Sequence, residues 1–293
     1  MFRIIVDSGS NLTEDLLNRY DIDIISFKCT IDGEEYMCYE EGRDDDEAGK
    51  AFYDKIRSGA DVRTSLINPG DIDDKLRPFL EDGEDVLFVC MSAKLTGTFQ
   101  SALIAKEDLE EDFPDRKIIM IDSMSASFGE GLLCIEASKM REEGSTIDEV
   151  SEWLIDNRLK MRHIFTVDNL KYLQKGGRIS QAEAVFGSIL SIKPILFASD
   201  EGKIDKFGTV RGRKKSLDAL VNDYVKYAVD VEDQTVAIAH CDCKEDAEYI
   251  AARVNELRPP KEIIIRVYDH CSGTHVGPGA MCIFYVGKDR GYS

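Results

Sequence analysis

Six apolar residues, Val86 to Met91, stop at Ser92. The chain then passes through Lys94-Leu95-Thr96-Gly97-Thr98 into apolar residues at helical spacing that reach Ala105. A short apolar run bounded in this way reads as a buried strand, and a strand feeding directly into a helix is the repeating unit of an α/β sheet. In open α/β sheets, ligands lie beyond the carboxyl ends of the strands, where such loops sit. The new helix offers unpaired backbone N–H groups that suit an anion. Ser92, Thr96 and Thr98 add hydroxyls able to donate or accept. Taken alone, the plainer reading is a strand-to-helix turn with Thr98 as N-cap. Other segments must converge on the same edge before the loop reads as a site.

The first half repeats this alternation. Strands are expected at Phe2–Val6, Ile22–Phe27 and Lys117–Ile121, and helices after Thr13 and over Ala48–Arg57 and Phe128–Met140. Asp32-Gly33 signals a hairpin between the Ile22 run and the segment after it. Asn68-Pro69-Gly70-Asp71 opens one helix, and Ser145 is expected to cap another over Ile147–Leu159. The pattern predicts a mainly parallel sheet flanked by helices. From about Met161 the texture changes to a second α/β set. Its expected strands are Ile164–Val167, Ile192–Ala198, Ile204 onward, Thr235–Ala239, Glu262–Tyr268 and Ala280–Val286. Lys175-Gly176-Gly177-Arg178-Ile179-Ser180 reads as an exposed turn leading into a helix. We expect two domains, residues 1–160 and 161–293.

Composition narrows the function. The chain has 293 residues, 43% hydrophobic and 32% charged, the balance of a globular protein. It has no long apolar run for a membrane span, and the N-terminus enters a strand without a signal-peptide pattern. A cytoplasmic location without stable membrane insertion is the expectation. A net charge of −19 argues against an extended nucleic-acid surface. The eight cysteines are scattered and read as reduced, mostly structural thiols.

Asp7-Ser8, Ser92 and Asp122-Ser123 each end a strand with small polar residues, and a parallel sheet places all three on one edge. Thr64-Ser65 precedes a helix start. Gly273 to Ala280 places His275 in a Gly/Pro corner where backbone and ligand can approach closely. Nucleotide phosphate loops, dinucleotide fingerprints, nucleophile elbows and metal-binding His pairs are absent from the sequence. Polar groups without an evident nucleophile and base point to binding rather than catalysis, with no cofactor and no metal.

The motifs VDSGSNLT (from Val6), RTSLINPGD (from Arg63), MSAKLTGTFQSA (from Met91) and IDSMSASFGEG (from Ile121) follow one another in order. VDNLKYLQKGGRIS (from Val167), SILSIKPIL with the later VRGRKK, and THVGPGA (from Thr274) complete the series. Together they resemble the DegV family along essentially the whole chain. The resemblance implies a two-domain α/β protein holding a long-chain fatty acid. It also implies a non-catalytic subunit that presents the acyl carboxylate to a separate ATP-dependent fatty acid kinase, whose acyl phosphate product feeds phospholipid synthesis. Carried over by motif, the carboxylate ligands are Thr64 and the serine of the MSA motif, Ser92, with His275 close by and Arg178 the kinase-docking residue; Ser65, Thr96 and Gly97 are counted with the same carboxylate site. The sequence departs from the family where two consecutive serines are common and Ser92-Ala93 stands here. Two other readings stay open. One is an enzyme on a small carboxylate or phosphate ligand that adds Arg211 and Lys214 to the same hydroxyls. The other is a regulatory protein that docks partners through its basic clusters.

Overall fold

The computed structural model describes residues 2–179 and 191–291. Thirteen strands run in chain order: β1 (Phe2–Asp7), β2 (Ile22–Ile25), β3 (Lys28–Ile31), β4 (Glu34–Met37), β5 (Val62–Ser65), β6 (Asp85–Cys90) and β7 (Ile118–Asp122) precede β8 (Met161–Thr166), β9 (Ile192–Ala198), β10 (Ile204–Arg211), β11 (Thr235–His240), β12 (Glu262–Val267) and β13 (Met281–Val286). They form three sheets: a parallel one ordered β2-β1-β6-β7, an antiparallel one ordered β4-β3-β5, and a mixed one ordered β10-β9-β8-β13-β11-β12. The architecture is the two-domain α/β arrangement expected, with a parallel sheet in the first half and a second α/β set after it.

Position in the sheets follows from the residues. β1 and β6 are apolar almost throughout and are buried, as strands covered on both faces must be. The helix Phe128–Glu142 packs against β1 and β6 on one side and β8, β11 and β13 on the other. Ten of its fifteen residues are buried, so it is buried on most of its circumference rather than along one stripe. It is the central layer that joins the two halves into a continuous core.

Several expectations need correction. The hairpin at Asp32-Gly33 exists, with both residues at positive φ (52° and 90°) as a tight primed turn demands. Its first arm is β3, however; the Ile22 run pairs with β1 in the parallel sheet. Thr146, not Ser145, caps the helix Ile147–Asn157, in a reciprocal capping box with Glu149. Gly97 occupies the N-cap of the helix Thr98–Asp112, and no side chain caps it. The Thr98 hydroxyl faces inward instead and accepts from the Ile67 N–H at 3.3 Å. His275 lies in the last turn of the helix His270–Val276, and the Gly/Pro corner begins after it at Gly277. The helix expected beyond Ile179 falls outside the described residues.

Candidate functional site

Parallel pairing brings the ends of β1, β6 and β7 to one edge, with Val6 beside Val89 and Cys90 beside Asp122. Their polar groups mainly wire these loops to one another. The buried Asp7 carboxylate accepts from the Gly9 N–H at 2.9 Å and the Met91 N–H at 2.7 Å. Ser8 Oγ accepts from the Phe27 N–H at 2.9 Å, and Ser123 Oγ from the Ser125 N–H at 3.1 Å. Ser92 behaves likewise: fully buried, it donates to the Gly202 carbonyl at 2.8 Å and accepts from the Lys94 N–H at 3.3 Å.

Beside this edge lies a cavity of about 240 Å³, walled by both halves of the chain. Phe27, Met91, Leu95, Phe165, Leu173 and Phe284 supply much of its apolar wall. Thr64, Ser65, Thr96, Gly97, Arg178 and His275 also line it. Six of the seven sequence-selected residues therefore meet at one cavity. Ser92 does not line it, because its hydroxyl is committed to the Gly202 turn between β9 and β10. Gly202 sits at φ +76°, and a Cβ there would meet Ser92 Oγ at 2.4 Å, so this close approach requires glycine.

In the cavity wall Thr64 Oγ1 and His275 Nε2 lie 2.9 Å apart. Thr64 is the penultimate residue of strand β5, and His275 is carried by the helix His270–Val276. Burial, and then the Arg178 charge, pushes the His275 pKa down to about 3. The imidazole is neutral near pH 7, with one N–H donor and one acceptor nitrogen. Gly176 makes room for the ring, since a Cβ there would stand 2.3 Å from His275 Nδ1. The Lys175–Arg178 motif reads from sequence as an exposed basic turn with Arg178 as a docking residue; its first glycine is in addition a packing requirement of the site. The signal was visible as a Gly-Gly pair, but its partner 99 positions away, His275, was not.

Arg178 reaches into the site. Its Nε and Nη2 donate to the Leu95 carbonyl at 3.1 and 2.8 Å, and its Nη1 donates to the Gly176 carbonyl. Burial lowers its pKa, but a guanidinium stays charged. Arg178 thus clamps the Lys94–Gly97 loop with a cation whose hydrogen-bond partners are backbone carbonyls. Thr96 Oγ1 lies 3.0 Å from Thr98 Oγ1, which orders the same loop.

Arg211 and Lys214 do not line the cavity. Arg211 bonds Ser191 Oγ at 3.3 Å, and Lys214 bonds the Tyr249 hydroxyl at 2.8 Å beside a separate surface depression. The reading that joined them to the hydroxyl edge is corrected by this separation. His163 and Cys282, given no ligand role from sequence, do line the cavity. His163 is buried, which lowers its pKa well below the ordinary value. Among the described residues no group of three or more His, Cys, Asp or Glu side chains is placed to hold a metal ion, and no helix is long and apolar enough to cross a membrane.

A family model described as DegV, a family of uncharacterised proteins, matches residues 1–288. A DegV domain-containing protein of Clostridium perfringens is 38% identical over 289 residues, covering 99% of this chain and 98% of that protein. Among solved structures, a DegV lipid-binding protein of Thermotoga maritima matches with a TM-score of 0.86 at 28% identity, over 99% of this chain and 100% of that one. A DegV-family protein of Thermus thermophilus, described by its fatty acid binding, matches with a TM-score of 0.86 at 27% identity, over 98% and 99% of the two chains. With its ordered motifs, its two α/β halves and a cavity between them, this chain belongs to the DegV family.

Proposed function

We propose that this protein binds one long-chain fatty acid in the cavity and offers its carboxylate to a separate ATP-dependent kinase, which converts it to an acyl phosphate for phospholipid synthesis. The observation that carries the reading is the Thr64–His275 pair set in the wall of a largely apolar cavity. An ionised carboxylate only accepts hydrogen bonds, and this corner offers the Thr64, Ser65 and Thr96 hydroxyls, the Gly97 N–H and a neutral imidazole. Arg178 adds positive charge without a competing acidic partner in its hydrogen bonds. Each buried CH₂ contributes about 0.8 kcal/mol, so the alkyl chain supplies most of the affinity and the polar corner supplies its direction. The lipid and fatty acid binding described for the Thermotoga and Thermus relatives supports the same ligand class.

The chain's own part is holding and orienting. It offers a carboxylate oxygen, and phosphoryl transfer belongs to the partner. Arg178, at the boundary of the cavity and the Lys94–Gly97 loop, is the proposed contact for that partner. Denaturing purified protein and analysing the organic extract by mass spectrometry tests the ligand class. The expected result is a long-chain acid near one per chain. Absence of any acyl chain, together with no uptake of added palmitate or oleate, contradicts the proposal.

A further inference from the structure

The tip of one hairpin walls the cavity from beyond the reach of sheet pairing. β9 pairs with β8 over Ile195–Phe197, and β10 lies outside β9 at the edge of the mixed sheet. The connection from Ala198 to Ile204 therefore runs past the last pair that joins the hairpin to β8. Ala198, Gly202, Lys203 and Ile204 nevertheless line the cavity. Within the tip the Gly202 N–H donates to the Ser199 carbonyl and the Ser199 N–H to the Lys203 carbonyl, both at 2.9 Å. These bonds shape the turn but do not fix it against the rest of the molecule.

Two side chains from elsewhere do. Ser92, just after β6, donates to the Gly202 carbonyl at 2.8 Å. Arg290, shortly after β13, donates from Nη1 to the Ser199 carbonyl at 3.0 Å. Arg290 is buried, and its other N–H groups are used in the same region. Nη1 also donates to the Met124 carbonyl at 2.7 Å, and Nη2 donates to Ser125 Oγ at 2.7 Å and the Arg158 carbonyl at 2.9 Å. Nε donates to the Met161 carbonyl at 2.9 Å. The five N–H groups of the planar fork thus meet five oxygens. Met124 and Ser125 line the cavity too. One guanidinium therefore fixes two wall segments against each other, the loop after β7 and the hairpin tip.

We propose that Arg290 and Ser92 set the chain-length selectivity of the cavity by holding the Ala198–Ile204 tip as a rigid wall. Neither residue lines the cavity, so both act by positioning others. The selectivity rests on the fatty acid reading; the anchoring does not. A wall held at both the Ser199 and Gly202 carbonyls does not yield to a longer acyl chain. Released at either point, the tip swings on the β9–β8 pairing and admits one. Lysine at position 290 puts a compact ammonium in place of the fork and cannot serve oxygens in five directions. Alanine at position 92 removes the donor to the Gly202 carbonyl.

The test compares the full chain as wild type, Ser92→Ala and Arg290→Lys, with Thr64→Val as the reference for a lost carboxylate contact. Hydrogen exchange without ligand is followed by mass spectrometry in the peptide spanning Ala198–Ile204. Affinities for laurate, palmitate, stearate and arachidate are measured by calorimetric titration. Exchange in the tip is expected to quicken severalfold in both anchor variants while β1 and β6 keep their protection. The affinity for arachidate relative to palmitate is expected to rise severalfold in both, and to keep the wild-type ratio in Thr64→Val. If Arg290→Lys does not fold, Ser92→Ala decides alone. Unchanged exchange in the tip overturns the anchoring. Quickened exchange with an unchanged ratio, all acids weakening alike, overturns the selectivity. Quickened exchange in a protein whose wild type binds none of these acids leaves the anchoring standing and contradicts the fatty acid reading, and the selectivity falls with it.

Discussion

Thr64 Oγ1 lies 2.9 Å from His275 Nε2 although 211 residues separate them in the chain. The contact joins an antiparallel sheet of the first half to a short helix of the second. It also places two hydrogen-bonding groups at the wall of a largely apolar cavity.

Thr64→Val keeps the side-chain shape and removes the hydroxyl. A hydrogen bond to a charged group contributes roughly 1.5–3 kcal/mol, so affinity for palmitate should fall about ten- to a hundredfold. Calorimetric titration checks it, and unchanged affinity rules out the Thr64 contact.

Gly176→Ala tests the packing beneath the imidazole. The added methyl meets His275 Nδ1 at 2.3 Å and displaces the ring from Thr64. The φ at Gly176 is −75°, so alanine brings no backbone strain. Acid affinity should fall as far as in His275→Ala, with the circular dichroism spectrum retained. Wild-type affinity in Gly176→Ala would show that the ring does not hold the ligand.

The legibility of this site differed residue by residue. The parallel edge was readable because Val86–Met91 is a continuous apolar run and Phe2–Val6 is apolar except for Arg3, and such runs are buried on both faces. The hydroxyl loop after β6, the Thr64-Ser65 pair and the Gly/Pro corner, together with the DegV motifs, brought Thr64, Thr96, Gly97 and His275 forward, and all four line the cavity. At Ser92 a hydroxyl beyond a strand looks the same in sequence whether it faces a ligand or, as here, the Gly202 carbonyl. Only the tertiary approach of Gly202 decides between them. The capping roles of Gly97 and Thr146 turned on one-residue shifts that composition does not resolve. Apolar wall and apolar core share residue types, so Phe165 and Phe284 were indistinguishable from ordinary packing.

Arg178 links the cavity to the loop above it. Arg178→Lys keeps a charge but loses the paired donation to the Leu95 carbonyl. Release of bound acid should quicken while partner docking persists; Arg178→Glu should impair both. Lipid dissociation and co-precipitation with the proposed partner kinase separate the two effects. Unaltered dissociation in Arg178→Lys would show that the clamp on the loop is not needed for retention.

The buried carboxyls predict an unusual pH response. Burial raises Asp7 to about 7 and Asp269 to about 6, and it raises Glu130 well above the ordinary range. Among the described residues neither Glu130 oxygen has a hydrogen-bond partner. A folded-state pKa above the unfolded value means that folding takes up a proton. The stability from each group is full below its unfolded pKa and is lost as pH rises through the folded pKa. Glu130→Gln removes one such group, so its stability relative to wild type should increase with pH above the ordinary Glu value, by up to about 1.4 kcal/mol per pH unit. Urea unfolding at several pH values from 5 to 8 measures this, and a pH-independent difference contradicts it.

The central claim is that an acyl carboxylate sits at the Thr64–His275 corner, and NMR of protein loaded with carboxyl-¹³C palmitate tests it most directly. The account predicts one bound carboxyl resonance that shifts or broadens in Thr64→Val and His275→Ala and stays in place in Lys214→Ala. No bound resonance, or one indifferent to both corner substitutions, contradicts it.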